Sequence, residues 1–231
     1  MTITIHRDLI QGSTEWHQAR LGILTASEVK HIITAATLKA ADNDKTRQHV
    51  WEIAAQRISQ YVEPSYIGDD MLRGWEDEAL ARAKYEEKTG QTVEEVGFIV
   101  NDKWGFPIGY SPDGCVVGTK GGIECKSRRQ KYQVQTIVEW HRDKIVPTDY
   151  VIQLQTGLLV AEWDWLDLVS YSGGLHMPIM RVYPDAKVQE AIVAAAGAFE
   201  AKVRAAVDDY EKATVGMVLT ERKVEQEMFV E

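Results

Sequence analysis

The stretch whose reading decides the fold spans residues 109–127, GYSPDGCVVGTKGGIECKS. Two strand-like runs, residues 106–117 and 121–127, flank residues 118–122, GTKGG, which have the composition of a hairpin loop. Side chains alternate across a strand, so Glu124 and Lys126 project from one face. If the hairpin turns about Thr119 and Lys120, Glu124 lies opposite Cys115, and Asp113 shares that face because it is two residues from Cys115. A slip of one residue would turn Asp113 away. Two carboxylates and a lysine on one face suit a hard cation such as Mg²⁺, which takes oxygen ligands and keeps room for water and phosphate. A bound metal lowers the pKa of its water, Lys126 would orient or deprotonate that water, and a second metal would steady the leaving oxygen. The chemistry is phosphodiester hydrolysis; against it stands an ordinary exposed strand that happens to carry Glu and Lys.

Outward from this hairpin the periodicities change. Thr25-Ala-Ser-Glu28 has capping-box spacing and predicts a helix from about Ala26 that turns Val29, Ile32 and Ile33 inward. Residues 49–62, HVWEIAAQRISQYV, predict a helix with Val50, Ile53, Ala54 and Ile58 on its apolar stripe, and residues 34–48 read as a polar connection. Residues 76–88 predict a helix with Ala79, Leu80 and Ala83 inward and Gly90 as its stop. Residues 93–101 predict a strand. Beyond the hairpin follow a helix at about 150–161, strands at about 166–171 and 178–182, and a long Ala-rich helix at about 185–213. The implied fold class is α/β, a central mixed β-sheet flanked by helices.

The chain of 231 residues, 45% hydrophobic, supplies enough apolar surface for one continuous core. With no repeat or linker-like tract, residues 1–231 are expected to form a single domain, with a catalytic core at about 16–182, trimmed only at about 1–15 and after Gly216. A net charge of −9 argues against non-specific coating of nucleic acid but leaves room for a local basic channel. No apolar run is long enough for a membrane span and the start lacks a secretory pattern, so a cytoplasmic protein is expected, with Cys115 and Cys125 as free thiols.

Pro112-Asp113, ten intervening residues and Glu124-Cys125-Lys126 resemble the P-D…(D/E)-x-K pattern of the restriction-endonuclease-like nucleases. Trp16-His-Gln-Ala-Arg-Leu-Gly-Ile-Leu-Thr-Ala-Ser-Glu28 resembles the W-H-x-x-R-x-G-x-x-T-A-S block of the phage lambda exonuclease, or YqaJ-type viral recombinase, family. Gly74-Trp-Glu-Asp-Glu78 and Tyr150-Val-Ile-Gln-Leu-Gln155 are similar to two further blocks of that family, in order. The four blocks cover residues from about 16 to 160; no motif falls in the C-terminal helix.

The resemblance implies a restriction-endonuclease-like core and a role for each matched residue. Asp113 would share two Mg²⁺ ions, with Mn²⁺ as a substitute. Glu124 and the Cys125 backbone carbonyl would bind metal, Glu78 would complete the second site, and Lys126 would assist the water. Glu76 and Asp77 stand beside Glu78 as rival ligands. Arg20, Ser27, Ser111 and Gln153 would form a pocket for a 5′-terminal phosphate, helped by free N–H groups at the expected helix start near Thr25. The plainer reading has Ser27 sharing in capping and Arg20 in a surface pair. Gln155 points elsewhere, to solvent or a subunit contact. Met71 and Leu72 fall where the family presents an apolar wedge; core packing is the preferred reading. Lys39, Lys45 and Arg47 would face phosphate or solvent. The resemblance further implies a 5′-to-3′ exonuclease on linear double-stranded DNA with a 5′-phosphate, leaving 3′ overhangs, a ring-shaped homotrimer, and a single-strand annealing recombinase as partner. The alternatives are an endonuclease of the same superfamily and a catalytically silent DNA-end-binding protein.

Overall fold

The computed structural model describes residues 3–63 and 68–222. Residues 223–231, part of the trailing segment expected after Gly216, lie outside that description, as do residues 1–2. In chain order come β1 (Ile3–His6), α1 (Thr14–Arg20), β2 (Leu24–Thr25), a 3₁₀ turn (Val29–His31), β3 (Ile33–Thr34), β4 (Lys39–Ala40), α2 (Asp44–Ser59) and α3 (Asp69–Thr89). Strands β5 (Val93–Glu94), β6 (Phe98–Asn101), β7 (Ile108–Tyr110), β8 (Gly114–Val116) and β9 (Gly121–Ser127) follow. The chain continues through α4 (Gln130–Gln135), a π-helical stretch (Thr136–His141), α5 (Thr148–Ala161), β10 (Trp165–Tyr171), β11 (Ile179–Val182) and α6 (Ala186–Ala213).

The strands form two principal sheets. The larger is mixed, in the order β11-β10-β9-β8-β5, and its β9–β10 pair is parallel. The second runs β1-β6-β7-β2, and β3 pairs with β4 in a separate hairpin. Both long runs before the loop therefore break in two. Residues 93–101 split at Gly97, where a Cβ would stand 2.1 Å from the Leu9 carbonyl oxygen, and residues 106–117 split around Pro112, which has no N–H for a ladder. The leading residues are no trimming: β1 pairs along its length with β6, Ile3 opposite Asn101 and His6 opposite Phe98.

The two faces of the larger sheet meet different helices. Leu166 and Leu168 of β10 join the main core with Ile152, Leu154 and Leu158 of α5, whereas Val169 packs with Ile123 of β9 and Ala81 and Tyr85 of α3. Helix α5 is buried on nearly every side, as a helix apolar all round must be. Helix α6 begins at Asp185, which accepts the Val188 N–H at 3.1 Å, and presents Val188, Ile192, Ala195, Ala196, Phe199 and Val203 to the core at helical spacing. It packs against α2, capped by Asn43, so the first turn of α2 extends into the segment expected to be a polar connection.

Two expectations near the site fail. No α-helix starts at Ala26: Thr25 ends β2, its N–H donates to Glu28 Oε2 at 3.0 Å as in a capping box, but a turn and three residues of 3₁₀ helix follow. Val29, Ile32 and Ile33 are buried as expected. Helix α3 starts seven residues earlier than residue 76 and turns a different face inward. Leu80 is 52% exposed while Ala81 and Tyr85 are sealed. The inward face begins with Asp77 and Glu78, and the Tyr85 hydroxyl lies 2.8 Å from the buried Asp167 carboxylate, so no apolar stripe marks it. Gly90, at φ 69°, ends the helix as read.

Candidate active site

The β8–β9 hairpin carries the site. Gly114 pairs with Ile123 and Cys115 with Gly122, two residues away from the expected register. An even shift keeps every side chain on its face, so Asp113, just before β8, still shares the side of Glu124 and comes opposite it. The Cys125 N–H donates to Asp113 Oδ2 at 2.6 Å, locking the carboxylate to β9. Lys126 Nζ stands 2.8 Å from Glu124 Oε1. From α5, Gln153 donates to the same oxygen while its own carbonyl accepts from Lys126 Nζ at 3.1 Å. From β7, the buried Tyr110 hydroxyl donates to Glu124 Oε2 at 2.9 Å.

Helix α3 closes the other side. Of the three adjacent acids, Glu76 faces solvent, Asp77 accepts from the Ser127 hydroxyl, and Glu78 pairs with Arg82 at 3.0 Å. Glu78 is the one whose charge reaches both Asp113 and Glu124. Burial raises the pKa of Asp113, as do the charges of Glu124 and Glu78, against the pull of Lys126 and the Cys125 N–H. Glu78 is raised by burial and by Glu124 and Glu95, with Arg82 opposing. Burial opposes the Lys126 ammonium, but the neighbouring charges of Glu124 and Asp113 outweigh it and raise its pKa. Cys125 and Cys115 are free; burial pushes the Cys125 thiol far up and the Cys115 thiol up to about 12, so neither is a nucleophile.

Three carboxylates crowd round one lysine and one arginine, and their mutual repulsion is what a hard divalent cation would relieve; the donor chemistry fits. Asp113, Glu124, Glu78 and the Cys125 carbonyl could hold it. Among the described residues no three His, Cys, Asp or Glu side chains are already gathered round a cation position. The Glu124 and Glu78 oxygens are instead bonded to Lys126, Gln153, Tyr110 and Arg82.

A second cluster adjoins the first. Arg20 Nη1 donates to Ser111 Oγ at 3.1 Å and Nη2 to Thr25 Oγ1 at 3.3 Å, and Ser27 Oγ lies 3.2 Å from Thr25 Oγ1. Trp16 supports it: its indole N–H donates to Ser111 Oγ and to the Gly97 carbonyl, both at 3.0 Å, and the Arg20 guanidinium lies 4.0 Å over its ring. Arg20, Ser27 and Ser111 thus come together without the expected helix start. The hydrogen bonds of Gln153 go to the acid and lysine group instead. Gln155 is neither solvent-facing nor free for a partner; it is buried, donating to the Tyr183 carbonyl and accepting the Asp185 N–H. Met71 and Leu72 are 44% and 47% exposed, which overturns core packing. His17 lies edge-on to Trp16.

The sequence reading missed Tyr110 as a partner of Glu124 and the Thr25 hydroxyl as a partner of Arg20. Tyr110 sits inside the decisive stretch, and its one signal was a large polar aromatic three residues before Asp113. The Tyr150 ring lies 5.6 Å from Lys126 Nζ, and its hydroxyl accepts from Arg128 Nη1 at 2.6 Å. A cavity of about 620 Å³ opens beside Lys126, Tyr150 and Gln153, with Lys30 and Lys45 on its rim. Three lysines against one acid, Asp149, make its lining basic on balance, unlike the chain as a whole.

The fold is that of the restriction-endonuclease-like nucleases, and fold and site together define a nuclease acting on DNA. Residues 15–164 match the YqaJ-like viral recombinase domain, and the chain belongs to that family. It is similar to the crystal structure of an alkaline exonuclease, LHK-Exo, from Laribacter hongkongensis, with 29% identity over 89% of this chain and 100% of that one and a TM-score of 0.76. LHK-Exo in complex with dAMP superposes with 31% identity over the same shares and a TM-score of 0.75. A phage related exonuclease from Haemophilus somnus 129PT shares the fold, at 15% identity over 85% of this chain and 96% of that one, with a TM-score of 0.52. No protein of curated function matches the chain.

Proposed function

We propose that the protein is a Mg²⁺-dependent 5′-to-3′ exonuclease that shortens the 5′ strand of linear double-stranded DNA to 5′ mononucleotides and leaves 3′ overhangs for recombination. One observation carries this reading: Ser111, bonded to Arg20, and Asp113, bonded to β9, are two residues apart on the short connection between β7 and β8. Two residue steps span at most roughly 7 Å. A terminal phosphate held by Arg20 and Ser111 therefore has the next phosphodiester within reach of the acid and lysine group, which sets removal of one nucleotide at a time. The likeness to LHK-Exo, an alkaline exonuclease solved with dAMP, supports the same reaction class and a mononucleotide product.

Each residue has a part. Arg20, with its planar donor fork, grips the 5′-phosphate, and the Ser111 and Ser27 hydroxyls add donors. Asp113, Glu124, Glu78 and the Cys125 carbonyl would hold Mg²⁺, or Mn²⁺ in its place. Bound there, the metal supplies an acidified water and charge relief for the leaving oxygen. Lys126 would orient the attacking water and contact the phosphate oxygens by hydrogen bonding. Gln153 and Tyr110 hold Glu124 in place, and exposed Met71 and Leu72 supply an apolar edge against the terminal base pair. A homotrimeric ring around the duplex would put an acidic exterior round a basic channel, and a single-strand annealing recombinase would take the 3′ strand; a solution mass measurement tests the ring.

Digestion of end-labelled linear duplex tests the reaction. With Mg²⁺ the protein releases labelled 5′ mononucleotides, and both EDTA and Lys126→Ala abolish release. Activity that persists in EDTA overturns the mechanism, and ready cutting of covalently closed circles points to an endonuclease instead.

A further inference from the structure

A cavity of about 370 Å³ lies on the α3 side of the site, between that helix and residues 9–12, and reaches Glu78 and Asp113. Two of its walls are apolar and open: Trp75, one helical turn before Glu78, is 50% exposed, and Ile10 across from it is 75% exposed. Apolar side chains facing each other across a cavity with a few polar groups at its end are the walls that small-molecule sites present. The opposing segment is held in place, because Gln11 donates to the Pro112 carbonyl at 2.9 Å and Gly97 leaves no room for a side chain under Leu9.

We propose that this cavity is a nucleobase subsite in which the base of the departing 5′ nucleotide stacks on Trp75. The inference rests on the exonuclease reading, which places that nucleotide between the Arg20–Ser111 anchor and Asp113. Pro112 joins Ser111 to Asp113 and also lines the cavity, so a sugar lying along this segment directs its base into it. Charge sorts the parts of the nucleotide. Glu78, Glu95 and Asp113 line the cavity with one cation, Arg82, which is itself paired with Glu78 and Glu95, so without metal the lining is acidic on balance and disfavours a phosphate, whereas a neutral base presents a flat apolar face to the indole and amino N–H groups to carboxylate oxygens. Stacking of this kind is sequence-tolerant because every base has a π-face, so the subsite favours the presence of a base rather than its identity.

Two measurements test it. In EDTA, so that no turnover occurs, 2-aminopurine deoxyribonucleoside 5′-monophosphate is titrated with protein; its fluorescence is quenched by the wild type, less by Trp75→Phe, and not by Trp75→Ala. Equal quenching by Trp75→Ala overturns the subsite. With Mg²⁺, Trp75→Ala slows removal of a normal 5′-terminal nucleotide roughly tenfold, as loss of one base–aromatic stack does, and matches the wild type on a duplex whose 5′-terminal residue is abasic. A Trp75→Ala defect of the same size on the abasic duplex, or no defect on the normal one, also overturns it. Quenching through Trp75 by a protein that digests no DNA would sink the exonuclease reading and leave the base site standing. Digestion that is indifferent to Trp75 would do the reverse.

Discussion

Arg20 is the residue at which the proposed polarity can be tested. It is half-buried, its fork is already spread between Ser111 and Thr25, and burial lowers its pKa while the Glu28 charge raises it. A guanidinium held this way is ready for a phosphate, which would add charge-assisted bonds of about 1.5–3 kcal/mol. Arg20→Ala is therefore expected to slow digestion of 5′-phosphorylated ends by roughly 10- to 100-fold. On 5′-hydroxyl ends the variant and the wild type converge, so the ratio of the two rates is the quantity to measure. Tyr110 acts more quietly: its hydroxyl gives Glu124 one of its fixed partners. Tyr110→Phe leaves a buried carboxylate oxygen short of a donor, at about 1–3 kcal/mol, which a thermal melt reads as a fall of several degrees.

At the scale of elements, α5 is the bridge between the two sheets, and its Gly157 sets how close it comes. A Cβ at Gly157 would stand 2.8 Å from the Tyr110 ring, itself buried against Glu124. Gly157→Ala should cost about 1–3 kcal/mol by overpacking, and should reduce nuclease activity although it touches no charged group. The same change at Gly197 in α6 meets only the Phe106 ring at 3.4 Å, and alanine is the better helix former by up to about 1 kcal/mol. Melting temperatures of the two variants should therefore move in opposite directions, or that of Gly197→Ala should not move. Local pattern revealed α6 by its long helical period and α5 and the strands around it by their apolar runs. It misjudged α3, whose inward face is built from Asp77, Glu78 and Tyr85 for the site and for Asp167, so that periodicity pointed to the exposed Leu80.

At the scale of the whole molecule, α6 is fastened to α2 by ions as well as by packing. Glu200 accepts from Arg57 through two bonds of 2.9 and 2.7 Å and from Arg204 at 2.7 Å. Burial pushes the Glu200 pKa up, but the hydrogen bonds and charges of the two arginines win and hold it below the ordinary value of 4.5. A depressed carboxyl stabilises the fold fully above its unfolded pKa and ceases to do so as pH falls through the folded one. Urea midpoints of wild type and Glu200→Gln should differ at pH 7 and draw together as pH falls below 4.5 and through the lowered folded pKa; a gap that stays constant into acid would assign the effect to packing.

By itself the sequence determined the parts that depend on neighbours along the chain. The alternation that puts Glu124 and Lys126 on one face, the stop at Gly90 and the long Ala-rich helix from about residue 185 are all local, and each is realised. The shared face of Asp113 survived a hairpin register two residues from the expected one, because strand periodicity is unchanged by an even shift. Only the tertiary structure decided which groups meet. It brought Tyr110 and Gln153 to Glu124, and it gathered Arg20, Thr25 and Ser111 without a helix start. It also left Met71, Leu72 and Trp75 in the open. Those placements depend on how sheets and helices distant in sequence pack against one another, and that packing is fixed by the whole core rather than by any one stretch.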